Sequence, residues 1–307
     1  MNLLQRAVFS TALLLPTGLT AQSGDLGPIL LRLPASVRAL AMGNVAVAGR
    51  DDDVLFYNPA QLVAARGTSV SMEQFSSTAH TGSLSTVIRF NSGGVAIGAT
   101  MAEFDSPLAA YPVARPDLVS GGPVLGSSGS LVIGAAQVIK SIRIGGAAKF
   151  VDERIGPTRS ARGVFDVGLG RDFFGYAFGL AVQNIGASFE PTTPPGSEFI
   201  RRGSRMPLRS TLGAMRGWNT TTFDFTATAA VSVLRDGFVV PAGGAEMFYS
   251  WLSGYTVVVR AGGRRPETGE GPLTAGAGLT VDRLSLDYAV ETLSGSRFGH
   301  RIGLRIR

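Results

Sequence analysis

The chain has 307 residues, a formal charge of +6, 41 glycines, no cysteine and a mean hydropathy of +0.22. The missing cysteines exclude disulfides, thiol catalysis and cysteine-ligated zinc. Apolar residues make up 45% of the chain, but its greasiest stretch, Gly163–Gly186, is interrupted by Asp166, Arg171 and Asp172. A membrane-spanning helix needs about 20 consecutive apolar residues, so none is expected. The positive charge is nearly all arginine and is scattered singly through strand-like segments, so no nucleic-acid partner is expected.

Met1–Ala21 carries Arg6, an apolar stretch from Ala7 to Leu15, a Pro16/Gly18 break and Ala21. That is the pattern of a secretory signal peptide and predicts export to the envelope of a diderm bacterium. Residues 22–66 show no strand alternation. Ile29–Leu33 is apolar, and Pro34-Ala35-Ser36 predicts the start of a short helix through Met42, ended by Gly43. The acidic triplet Asp51-Asp52-Asp53 follows. Asn58 then suits an N-cap, with Pro59 at the first helical position and a short helix through Ala64.

From Thr68 onward one device repeats: about ten residues of alternating polarity, then a turn. Ser285, Asp287 and Glu291 alternate with Leu284, Leu286, Tyr288 and Val290; Arg297, Arg301 and Arg305 alternate with Phe298, Ile302, Leu304 and Ile306. Breaks at turn residues predict strands near 68–78, 81–91, 93–105, 128–139, 141–152, 161–171, 174–186, 208–217, 221–234, 241–250, 254–264, 272–281, 283–292 and 296–306. Every second connection is tight, whereas the others include the long segments 105–127, 152–160, 185–207 and 262–271. A soluble sandwich has no reason to keep that parity; an outer-membrane barrel has short turns on one side and long loops on the other. The expected fold is therefore all-β, a transmembrane antiparallel barrel of about 14 strands over residues 67–307, preceded by a hatch over 22–66. Phe173, Phe174, Tyr176, Trp218, Phe248, Tyr249, Trp251 and Tyr255 are expected to form an interfacial girdle.

The run Pro34-Ala35-Ser36-Val37-Arg38-Ala39-Leu40-Ala41-Met42-Gly43, followed by Asp51-Asp52 and Tyr57-Asn58-Pro59-Ala60-Gln61-Leu62, resembles the N-terminal signature of the PorV/PorQ family. That family is related to the FadL transporters, whose hatch carries a similar Asn-Pro-Ala element. Ala181-Val182-Gln183-Asn184-Ile185-Gly186 is a shorter match, and Gln61 departs from the usual glycine. The resemblance implies a 14-stranded barrel plugged by its N-terminal segment. It also implies a docking or shuttle component for secreted cargo and a type IX-like secretion machine; the alternative is FadL-like uptake of hydrophobic small molecules. Arg38, Met42, Gly43, Asp51, Asp52, Asn58, Pro59 and Ala60 are the expected hatch residues. Asp51–Asp53 are expected to pair with lumen arginines, with Arg260, Arg301 and Arg305 as candidates.

No phosphate loop, dinucleotide fingerprint, zinc-protease helix or nucleophile elbow is present. Histidine occurs only at His80, placed in a hairpin loop, and His300, placed on the lipid-facing phase of the last strand. No enzyme activity, metal or cofactor is expected, and the acidic triplet lacks the spacing of a calcium loop. Arg201, Arg202, Arg205 and Arg209 form a basic cluster on the expected outer side, where lipopolysaccharide or a carboxylate-bearing partner could meet it.

Overall fold

Period-two alternation gives each strand one apolar and one polar face, and closing the sheet removes its unpaired edges. The computed structural model describes residues 27–106, 124–196, 203–252, 254–267 and 269–307. The expected signal peptide, Arg201 and Arg202 lie outside these residues. Fourteen strands form one closed antiparallel barrel in sequence order. They are β1 (Gly67–Gln74), β2 (His80–Phe90), β3 (Gly93–Ser106), β4 (Val124–Ile139), β5 (Ile142–Ile155), β6 (Thr158–Phe173) and β7 (Tyr176–Ile185). The second half comprises β8 (Arg209–Asn219), β9 (Phe223–Leu234), β10 (Val239–Leu252), β11 (Tyr255–Arg264), β12 (Glu270–Val281), β13 (Leu284–Leu293) and β14 (Arg297–Ile306). Closure comes from β1 on β14, with Thr68 opposite Ile306 and Gln74 opposite His300.

The apolar phase faces outward. Leu286 is 49% exposed, whereas its neighbour Asp287 is 4% exposed. An apolar exterior around a polar interior is the reverse of a soluble protein and suits a lipid surround. Near the end where β1 starts and β14 finishes, here the lower end, an aromatic band crosses β8–β11. Trp218 stacks on Phe225 at 6.0 Å, Phe223 meets Tyr249 at 5.5 Å, and Trp251 meets Tyr255 at 5.9 Å. Phe248 is not part of it. Alternating with exposed Tyr249, it takes the inward phase of Glu246.

Lower turns are tight, as at 91–92, 140–141 and 282–283, while the upper end carries the longer connection 186–208. One expected long loop is absent: over 152–160 the alternation simply continues. Asp152 pairs with Ala161, Ile155 pairs with Thr158, and Gly156 at φ 54° makes the turn. His80 likewise belongs to β2, opposite Gln74, rather than to a loop.

Residues 27–66 run through the inside of the barrel. Gly27 N–H donates to the Arg205 carbonyl at the upper end, and the segment leaves into β1 at the lower end. Along this path lie a 3-10 turn at Ile29–Leu31, helix α1 (Val37–Ala41) and 3-10 turns at Asp52–Phe56 and Pro59–Val63. The Ser36 hydroxyl caps α1 by accepting from Ala39 N–H, and Gly43 ends it at φ 75°. The apolar core lies between this segment and the wall: Val54, Leu55, Leu62 and Ala65 pack against Val87, Ala96, Val132 and Ala147.

Candidate functional site

The wall admits the inner segment because glycines face it. A Cβ on Gly262 would lie 2.3 Å from Gly43 N, one on Gly179 would lie 2.0 Å from the Val47 carbonyl oxygen, and one on Gly145 would lie 2.5 Å from Ala60 N. Gly244 meets the Met42 main chain in the same way, and Gly168 makes room for the Asn58 side-chain oxygen. Main chain therefore packs on main chain around much of the circumference. Met42, Gly43, Asn58, Pro59 and Ala60 all sit against these glycines.

Charge holds the segment near the lower end. Arg38 Nε lies 2.9 Å from Glu246 on β10, and the same guanidinium reaches Asp51. Glu246 also binds Arg260 at 3.1 Å, Arg260 binds Asp287 at 2.6 Å, and Asp287 binds Arg305. Arg305 returns to Asp51 at 2.8 Å. Three arginines and three carboxylates thus close a neutral ring, with Arg38 and Asp51 from the inner segment and the other four from the wall. Burial alone would raise the Asp51 carboxyl, but Arg38, Arg305 and Arg307 hold it well below the usual carboxylate range.

Of the candidate arginines, Arg305 contacts the acidic triplet directly. Arg260 joins the ring only through Glu246 and Asp287. Arg301 lies apart, 2.8 Å from Glu73 and 2.7 Å from the Pro34 carbonyl. The reason is register: Glu246 stands opposite Arg260, and Glu73 opposite Arg301, so each arginine is neutralised by its strand neighbour. Asp53 bonds Ser69, whereas neither carboxylate oxygen of buried Asp52 has a hydrogen-bond partner among the described residues. Burial, with Asp53 and Asp51 alongside, pushes the Asp52 carboxyl up to about 7 against the opposing pull of Arg305.

Asn58 does more than cap. Its Oδ1 accepts from Ala60 N–H at 3.0 Å, while Nδ2 donates to the Val47 carbonyl at 2.7 Å and to the Leu169 carbonyl at 3.1 Å. Gln61 Nε2 reaches the same Val47 carbonyl at 3.3 Å, and Gln183 on β7 donates to the Phe56 carbonyl at 2.6 Å. Sequence reasoning missed Glu246, Gln183 and the glycine wall. The quoted Ala181–Gly186 match was the available signal for Gln183.

Above the inner segment the barrel opens into a pocket of about 360 Å3. Ile29, Leu33, Phe75, Phe104 and Leu293 give it apolar walls, and Arg32, Glu267, Glu270 and Glu291 a polar side. Arg32 binds Glu267 at 3.1 Å, and Arg264 links Glu270 and Glu291. Arg209 also binds Glu267, so it turns toward the mouth instead of joining an outward patch with exposed Arg205. The cavities beside the segment measure about 60 and 30 Å3, room for a few waters.

The fold is shared with solved structures. CymD, a monoaromatic hydrocarbon channel, aligns over 89% of this chain and 97% of its own at TM-score 0.60 and 11% identity. The Pseudomonas putida toluene transporter TodX aligns over 89% and 97% at TM-score 0.58 and 10% identity. The Ralstonia pickettii toluene transporter TbuX aligns over 90% and 99% at TM-score 0.54 and 12% identity. No protein-family model matches the sequence, and no curated protein does.

Proposed function

We propose that this protein is an outer-membrane channel for small hydrophobic molecules, closed at rest by residues 27–66, with its lower end facing the periplasm. The observation that carries the reading is the mouth pocket, apolar on one side and charged on the other, directly above a segment that fills the lumen. A cavity of about 150 Å3 suffices for benzene, so 360 Å3 has room for a monoaromatic ring or a short alkyl chain. Burying about 200 Å2 of such a molecule contributes about 5 kcal/mol, enough to draw it from water without a charged anchor. Onward passage then requires the inner segment to shift against its glycine-lined wall. The shared fold with hydrocarbon channels supports this reading.

The docking role for secreted proteins, which headed the expectation from sequence, has only the N-terminal signature behind it. Its residues Arg38, Asp51, Asn58 and Pro59 are engaged within the lumen, which leaves them little surface for a partner. Outer-membrane lipid and lipopolysaccharide are the surroundings this location implies. The test is uptake of labelled toluene by vesicles containing the protein, against empty vesicles and against Leu33→Glu, which places a carboxylate among the pocket's apolar walls. Faster uptake with the parent and loss with Leu33→Glu supports the channel. Equal rates in all three would remove it.

A further inference from the structure

We propose that the exterior of β7–β9 holds an anionic phospholipid of the periplasmic leaflet, with its phosphate on Arg216 and an acyl chain in an adjoining groove. This rests on the reading of the chain as an outer-membrane barrel.

Arg216 takes the outward phase of β8, between exposed Leu212 and Trp218 and out of step with buried Thr211 and Gly213. It pairs with Ala227, whereas Trp218, one outward position nearer the lower end, pairs and stacks with Phe225. The guanidinium therefore roots on the bilayer side of the aromatic band. An arginine on the lipid face costs about 2–4 kcal/mol at mid-bilayer and less toward the interface, so a cation just on the bilayer side of the band is stabilised by an anion brought within its reach. Among the described residues no carboxylate supplies one. The contacts of Arg216 are Tyr176, whose hydroxyl accepts from Nη1 at 2.9 Å and whose ring centre lies 4.8 Å from the guanidinium carbon. That hydroxyl keeps its own hydrogen to donate. The remaining guanidinium N–H groups and the phenol O–H make a donor pair suited to a phosphodiester.

Beside this pair the exterior is hollow. A groove of about 510 Å3 lies over Ala214, Ala227 and Ala229, walled by Tyr176 and Trp218. At the next outward positions toward mid-bilayer, Leu212 and Val231 stand 59% and 46% exposed, so the apolar exterior continues beyond it. A headgroup donor pair and an apolar trough running from it match the two halves of a phospholipid. The opposite leaflet would meet the upper end instead, which excludes lipopolysaccharide from this position under the proposed orientation.

The chain's two tryptophans are Trp218 and Trp251, so Trp251→Phe leaves a single reporter on the groove wall. Full-length Trp251→Phe is placed in phosphatidylcholine vesicles doped with equal fractions of brominated phosphatidylglycerol or brominated phosphatidylcholine. Quenching of Trp218 should show about a fivefold preference for the anionic lipid, as about 1 kcal/mol per arginine predicts. Adding Arg216→Gln should abolish that preference. Adding Ala229→Leu, which fills the groove and leaves the guanidinium, should weaken quenching by both lipids. Equal quenching by the two lipids in the parent, or a preference that survives Arg216→Gln, would overturn the site. Toluene uptake is read on the same vesicles: uptake without lipid preference sinks the site alone, and lipid preference without uptake sinks the channel alone.

Discussion

Replacing Arg38 by glutamine removes the inner segment's main ionic hold on β10. The Glu246 side chain is fully buried, and breaking such a pair from one side costs about 3–5 kcal/mol. The lower figure applies here, because Glu246 keeps Arg260 at 3.1 Å and Asp51 keeps Arg305 at 2.8 Å. About 3 kcal/mol corresponds to a shift of roughly a hundredfold in the ratio of docked to undocked segment. Hydrogen exchange of the full chain in detergent reads this directly. Amides over 37–44 should exchange roughly a hundredfold faster, while those of β4 and β5 keep their rates. Glu246→Gln alone should act similarly, and the double variant should cost less than the sum of the singles. Exchange over 37–44 within a factor of about three of the parent would refute a role for the ring in docking the segment.

Three further outcomes follow from the same geometry. Gly262→Val should displace residues 42–44 while the barrel persists, read as new protease cleavage in the inner segment; Gly163→Ala, whose Cβ would meet nothing nearer than 4.0 Å, should change nothing. Asn58→Ala should loosen residues 47–63 by about 2 kcal/mol in local exchange, beyond the roughly 1 kcal/mol of an isolated cap, because it also removes the bond to the Leu169 carbonyl and leaves the Val47 carbonyl to Gln61 alone. Asp52 carries the pH dependence. With its carboxyl raised from 3.8 to about 7, its support for docking is full below the ordinary value, falls as pH rises through that window and is lost above it. Asp52→Asn, uncharged throughout, should flatten this profile and keep the segment protected at pH 8.

Strand positions were legible because alternation is local: Leu286 and Asp287 face opposite ways wherever β13 lies in the barrel. Both caps of the inner segment were legible for the same reason, since Ser36 and Asn58 bond only two or three residues ahead. The turn at 140–141 was placed by its flanking strands rather than by its own residues. Lys140 and Ser141 adopt φ of 50° and 69° with no glycine or asparagine to announce the hairpin. The expected loop over 152–160 is strand because the alternation runs on through Glu153, which is buried and faces inward. Ion partners were the least legible. Whether Arg260 meets Asp51 or Glu246 depends on the register of β10 against β11, which no local pattern specifies. Glycine content was visible, but its use as a seat for backbone required knowing which chain passes inside.

We propose that residues 27–66 close an otherwise water-filled barrel. Planar-bilayer conductance of the intact protein beside a variant lacking residues 27–62 tests it most directly. With the segment removed, the barrel should insert and pass a steady ionic current through a lumen lined by serine, threonine, glycine and arginine; the intact protein should stay near baseline. Equal conductance in the two would contradict the plug and leave the segment as an arm with some other task.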